Sequence, residues 1–483
     1  MATHATRSLK TLYHKKETDK KKLTNNQTPH HRQLTRSLLS HDFNLTLPSL
    51  PTDRLCPPVP VRWNYVRWLQ DLLATTHPSH TETFDPNRPA TGLDIGVGAS
   101  CIYPLLACAS APGWKMHGTD IDAHSLRHAQ QNVDANESVL GGGGGGGDGG
   151  SRIKLHHRTP SAKEEEEPLP LIPLEALGIS TLDFVMCNPP FYSSAADMAS
   201  AYEHKSMAPS AVCTGSTNEM ICPGGDIGFV SRLLAESLEL CGRVRWYSSM
   251  LGRLASVQML VAKLREHGIG NFAVTNLKAG RKTRRWAVAW SFGDLRPGNA
   301  VARHGEVVQA VMPMATEWTV GVGAGGDAAG SAVEELGEKV NALLAELDLR
   351  WQWRAPIHTG VAFARENVWS RSARRKRKFQ QQQRGEEERR KGGEGNQKEE
   401  ENEAASSESR SSNEDEEPVA LAVKIVCRPG RVDIRWLRGT DFTLWESFCG
   451  MMKRALGARE KASSATTTAA AAATGVDRRM TKG

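Results

Sequence analysis

What this chain lacks narrows its class before any motif is read. No apolar run approaches the roughly 20 residues of a membrane-spanning helix, and no apolar signal core stands near the first residue, so a soluble, non-secreted protein without membrane contact is expected. The nine cysteines, at positions 56, 101, 108, 187, 213, 222, 241, 427 and 449, form no Cys-x-x-Cys pair and keep no regular spacing. Reduced thiols account for them better than a disulfide framework or zinc, and no metal ligand is assigned. Net charge is small as well, +7 over 483 residues, but it is uneven, and its distribution says more than its sum. A length of 483 residues predicts two or three domains, and 39% hydrophobic residues is enough for their cores.

What is present begins with residues 183–191, Asp-Phe-Val-Met-Cys-Asn-Pro-Pro-Phe. β-formers running into Pro-Pro must stop pairing there, because proline has no N–H for the ladder and holds the preceding residue extended. Asn188 is thereby left at the carboxyl end of a strand, where open α/β sheets bind ligands. The side-chain oxygen of Asn188 and the carbonyl of Pro189 can each accept one hydrogen of a planar amine, turning the nitrogen lone pair out of the ring plane. Pro190 stiffens the turn, and Phe191 offers a face for a base, worth about 1–3 kcal/mol. Alone, Asn-Pro-Pro is more often a mere turn; it needs a partner motif.

The partner lies upstream in Asp94-Ile95-Gly96-Val97-Gly98-Ala99-Ser100, a strand, a glycine loop and the start of a helix. Gly96 and Gly98 let a ligand approach the backbone, and Ser100 can cap the helix or donate to that ligand. The spacing departs from the dinucleotide fingerprint, whose third glycine is replaced by Cys101. A second strand, residues 114–119, ends at Asp120, an acid placed to accept from ribose hydroxyls, while Asp122 reads as the cap of the next helix. Glycine loop, acid and Asn-Pro-Pro-Phe stand in the order of an S-adenosylmethionine-dependent methyltransferase.

At these residues the chain resembles a narrower family. The blocks VPVRWNYVRWLQDLL, LDIGVGASCIYPLLA, FVMCNPPF, VRWYSSMLGR and GRKTRRWAVAWSF look like the U6 small nuclear RNA adenosine methyltransferases, whose bacterial relatives modify an adenine of large-subunit ribosomal RNA. The resemblance runs over about residues 34–293. It implies an α/β fold, a Rossmann-like seven-stranded class I methyltransferase sheet, with S-adenosyl-L-methionine as cofactor and the N(6) amine of adenosine in RNA as acceptor. It also implies a small split α+β C-terminal domain that assists RNA binding. The family's cofactor contacts fall here on Arg62, Gly96, Ser100, Asp120, Thr159 and Asn188. The family more often has Glu at the position of Asp120, which shortens the reach by one methylene.

The remainder of the chain divides by composition. Residues 1–33 carry Lys15, Lys16, Lys20, Lys21 and Lys22 and read as a basic flexible arm; residues 34–300 hold the methyltransferase domain. Within that domain a glycine run at 141–150 and an acidic run at 164–167 read as solvated insertions, and residues 192–225 as a substrate lid. Lys278, Arg281, Lys282, Arg284 and Arg285 beside Trp286 lie between the last two strands, where cations next to an indole suit RNA phosphates better than a merely wet surface. Residues 306–370 and 419–457 read as two halves of one α+β domain, interrupted at 371–418 by a basic segment and a disordered charged linker, with a disordered tail at 458–483. The cluster from Arg374 to Lys378 suits nuclear import or RNA contact, and a nuclear protein is expected. Ribosomal RNA, a protein glutamine as methyl acceptor, and a non-catalytic RNA-binding protein are the alternatives.

Overall fold

A computed structural model describes residues 27–141, 150–159, 169–203, 215–278, 284–305, 308–322, 329–391 and 418–457. Strands β1 (Ala90–Ile95), β2 (Trp114–Asp120), β3 (Ile153–His157), β4 (Leu182–Cys187) and β5 (Val244–Leu251) form the parallel part of a sheet. A hairpin of β6 (Phe272–Lys278) and β7 (Arg284–Trp290) closes it antiparallel, and the two-residue β8 (Arg303–His304) adds an eighth strand to the seven expected. The order is β3-β2-β1-β4-β5-β7-β6-β8. β1, β4 and β5 are buried almost end to end, as strands covered by helices on both faces are.

Helices cover both faces. Helices α1 (Gln27–Phe43), α2 (Val59–Thr75), α3 (Ile102–Ser110) and α4 (Ala123–Asp134) contribute to one apolar cluster, and α5 (Gly225–Leu240) and α6 (Leu254–Glu266) to the other. Gly92 in β1 is a close-approach position: a Cβ there would lie 2.3 Å from the Phe184 ring. Helix α1 starts at Gln27, ahead of Leu34, so the arm gives way to helix earlier than expected; residues 1–26 lie outside the described part.

The C-terminal region builds one five-stranded sheet, β10-β11-β12-β13-β9, from both flanks of the insertion: β11 (Thr359–Ala364) pairs with β12 (Leu421–Arg428), and β13 (Arg431–Arg438) with β9 (Glu317–Gly321). β10 (Arg350–Arg354) forms the far edge. Helix α7 (Ala329–Ala345) and the last helix (Phe442–Ala455) share a core with the sheet, around Trp436 and Trp445 stacked at 5.6 Å. One expectation fails here. Residues 379–391, expected to be disordered, continue a helix that begins at Arg371 in the basic segment, because Arg, Lys, Gln and Glu are good helix formers even without an apolar face. Residues 392–417 and 458–483 fall outside the described part.

Candidate active site

Strand register sets the site. Ile95 pairs with Thr119 on one side and with Cys187 on the other, so Gly96, Asp120 and Asn188 emerge in one row past the strand ends. That row faces a cavity of about 800 Å³, a size suited to a small-molecule ligand. Arg62, Gly96, Ser100, Asp120, Asn188, Pro189 and Pro190 all line it. Gly96 has φ of +74°, and a Cβ built there would meet nothing within 4 Å, leaving bare backbone open to a ligand. Asp120 fastens the loop: Oδ2 accepts from the Gly98 N–H at 2.9 Å and Oδ1 from the Asp122 N–H at 2.9 Å. Burial raises its pKa, partly offset by those backbone donors. Asp122 caps α4 by accepting from His124 N–H, as expected.

Three buried groups around this row find no hydrogen-bond partner among the described residues. Asn188 Oδ1, both carboxylate oxygens of Asp94 and the Tyr103 hydroxyl are buried without a hydrogen-bond partner. Beside them Arg62, 6% exposed, reaches Met250 Sδ at 3.4 Å and lies 5.6 Å from the Tyr103 ring. Burial, then the Asp120 charge, hold the Asp94 carboxyl well above its usual range, while Arg62 pulls the other way. Buried polar groups left unpaired are costly; Arg62, Tyr103 and Asn188 line the cavity with Asp120, whereas Asp94 lies fully buried behind the lining. A guanidinium and a carboxylate on one cavity suit a ligand with a carboxylate at one end and hydroxyls elsewhere, as S-adenosylmethionine has, so the lining residues fit the expected cofactor.

The other candidates take different positions. Ser100 is buried at the cavity but does not cap α3; the cap position is Cys101, in the left-handed region at φ +51°, and it makes no side-chain capping bond. Thr159 is exposed, 3.4 Å from His157 Nδ1, and stands outside the cavity lining, to which its neighbour Arg158 contributes. Phe191 is half-buried just beyond the cavity: Gly252 lies against its ring, where a Cβ would come within 2.8 Å, and the Arg285 guanidinium sits 5.1 Å from the ring centroid. Lys278, Arg284 and Arg285 flank the β6–β7 turn at this same end of the sheet, whereas Arg281 and Lys282 lie outside the described residues. The described parts of the segment expected to be a lid include helices at Ala195–Glu203 and Thr217–Met220, and a bridge between Tyr192 and Ile221 joins its two ends.

Sequence reasoning passed over Asp94, Tyr103, Arg54 and Glu219. An acid inside an apolar strand was the available sign for Asp94; for Glu219 it was Ser216-Thr217-Asn218-Glu219, a capping-box spacing.

The strand order 3-2-1-4-5-7-6, with a cofactor-sized cavity at the point where the order reverses, defines a class I methyltransferase. The chain belongs to the RNA methyltransferase family, which matches residues 8–141 and 175–294. It is 31% identical over 435 residues to the U6 small nuclear RNA (adenine-(43)-N(6))-methyltransferase of Schizosaccharomyces pombe, covering 89% of this chain and 94% of that protein. The human RNA N(6)-adenosine-methyltransferase METTL16 is 37% identical over 268 residues, 54% of this chain and 42% of that protein. Ribosomal RNA large subunit methyltransferase F of Desulfotalea psychrophila is 32% identical over 271 residues, 54% of this chain and 80% of that protein. The chain thus spans nearly all of the fission-yeast relative and less than half of the human one.

Proposed function

We propose that this protein is an S-adenosylmethionine-dependent RNA methyltransferase acting on the N(6) amine of an adenosine, with U6 small nuclear RNA as substrate. The observation that carries this reading is the Asn188 side-chain oxygen, buried and without a hydrogen-bond partner among the described residues, on a residue that lines the same cavity as the glycine loop. U6 RNA is favoured over ribosomal RNA because the fission-yeast likeness extends over 89% of this chain, whereas the ribosomal enzyme matches 54%. Basic residues around the β6–β7 turn favour RNA over a protein glutamine. A nuclear location follows from a U6 substrate and suits the basic cluster at residues 374–378.

Bound S-adenosylmethionine supplies an electrophilic methyl group on a sulfonium. Arg62 would pair its fork with the methionine carboxylate and Asp120 would accept from the ribose hydroxyls, with Gly96 and Gly98 admitting the ligand to the backbone. Asn188 Oδ1 and the Pro189 carbonyl accept the two amine hydrogens of an extruded adenine and expose the nitrogen lone pair. Phe191 stacks the base, which takes a place that Arg285 occupies in the free protein. No side-chain base is needed, since the nitrogen becomes acidic once alkylated and releases its proton to water.

The test is transfer of a labelled methyl group to cellular RNA and to cellular protein, followed by mapping of the modified nucleotide. Label in an adenosine of U6 RNA is expected; label in protein alone would overturn the reading.

A further inference from the structure

Three segments distant in sequence meet at the mouth of the cofactor cavity. The strap ahead of α2, residues 51–58, carries Arg54, whose Nη2 and Nε reach Asp122 Oδ2 at 2.7 and 3.1 Å and whose Nε also donates to Ser125 Oγ at 3.0 Å. This ties the strap to the turn that presents Asp120. From the lid comes Glu219, whose carboxylate accepts the Leu55 N–H of the strap at 3.1 Å and the Ser216 N–H of its own turn at 2.7 Å. Its Oε1 lies 3.7 Å from where a Cβ on Gly98 would stand, so the same carboxylate hangs beside the glycine loop. Leu55, Ser216 and Glu219 line the cavity with Asp120 and Arg62.

The Glu219 turn is in turn fixed to the base-binding segment. Tyr192 N–H donates to Met220 O at 3.1 Å and Cys222 N–H to Tyr192 O at 3.0 Å, one residue on either side of the bridge to Ile221. Tyr192 directly follows Phe191. A continuous path of hydrogen bonds therefore runs from the ribose-acid turn through Arg54, the strap and Glu219 to the residue beside the stacking ring.

We propose that Glu219 is a positioning residue that clasps the strap over the bound cofactor and couples cofactor retention to the base-binding loop. The inference rests on the cofactor reading given above. It assigns Glu219 no contact with the reacting atoms; it acts through the strap on one side and the Tyr192–Ile221 bridge on the other.

Dissociation of S-adenosylhomocysteine from the full-length protein, measured by rapid mixing, tests this. Glu219→Ala is expected to speed release about tenfold, the loss of a charge-assisted hydrogen bond. Glu219→Gln, which keeps one acceptor, should fall between it and the wild type. Arg54→Ala frees the strap at its other anchor, and combined with Glu219→Gln it should add little beyond the larger single effect, as for members of one network. Any tightening of RNA binding by S-adenosylhomocysteine in the wild type should disappear in Glu219→Gln while the melting temperature stays near the wild-type value. Unchanged release in Glu219→Gln and Arg54→Ala, or fully additive effects of the two, would overturn the clasp. Wild-type protein that binds no S-adenosylhomocysteine would instead remove the cofactor reading and the clasp with it.

Discussion

At the scale of single residues the site is a set of unpaired buried groups, and two of them give opposite kinds of test. In the proposed reaction Asn188 offers an acceptor to the substrate, so Asn188→Ala should lower methyl transfer by about 10²–10³-fold, the usual cost of one lost polar contact to a transition state. S-adenosylhomocysteine affinity should stay within a few-fold, as titration calorimetry would show; full activity would defeat the assignment. Asp94 is a cost the free protein carries. Because burial raises its folded pKa, stability is complete below the ordinary carboxylate range and is lost as pH rises through the raised value, where the buried group must ionise. The melting temperature of ligand-free wild type should therefore fall, relative to Asp94→Asn, as pH rises above the ordinary carboxylate range. Asp120 shifts the same way and leaves some slope in the variant. Asn188, Gly96 and Asp120 were legible in the sequence because each ends a β-strand with a residue that breaks its pattern. Asp94 was not, since nothing in a linear pattern tells a satisfied strand acid from an orphaned one.

Elements bring close approach into play. Gly252 follows β5 and leaves room for the Phe191 ring, so Gly252→Ala, whose Cβ would lie 2.8 Å from that ring, must push aside the ring proposed to stack the base. About a tenfold rise in the RNA KM is expected, the worth of a weakened base stack, with unchanged S-adenosylhomocysteine binding; kinetics with a short RNA hairpin would check it. The element order was readable from periodicity, and β1, β2 and β4 fall within two residues of their expected ends. Two elements were misjudged for physical reasons. The helix at residues 371–391 has no apolar stripe, so periodicity cannot report it even though its composition favours helix. The two-residue β8 is defined by pairing with β6, a long-range fact that no local pattern holds.

For the whole molecule, the two ends of the main sheet carry different duties. The C-terminal domain is seated at the end opposite the active site: Arg296, just past β7, donates to Gly439 O at 2.7 Å, Gly270 O at 3.2 Å and Thr440 O at 3.3 Å and lies 4.3 Å from the Trp436 ring centroid. Arg438 pairs with Asp294 at 2.6 Å beside it. The β6–β7 turn, with Lys278, Arg284 and Arg285, stands at the other end, a strand length away, on the order of 20 Å. An RNA that fills the active site meets the turn first, and each cation there that replaces a counterion adds to the salt dependence of binding. Arg285→Ala should therefore weaken RNA binding by a similar factor for any sequence and reduce the slope of log affinity against log salt by about one. It should leave S-adenosylhomocysteine affinity untouched, since Arg285 lies outside the cofactor cavity. Fluorescence anisotropy over a salt series measures both quantities; an unchanged slope would mean that Arg285 serves Phe191 alone and that the phosphates run elsewhere.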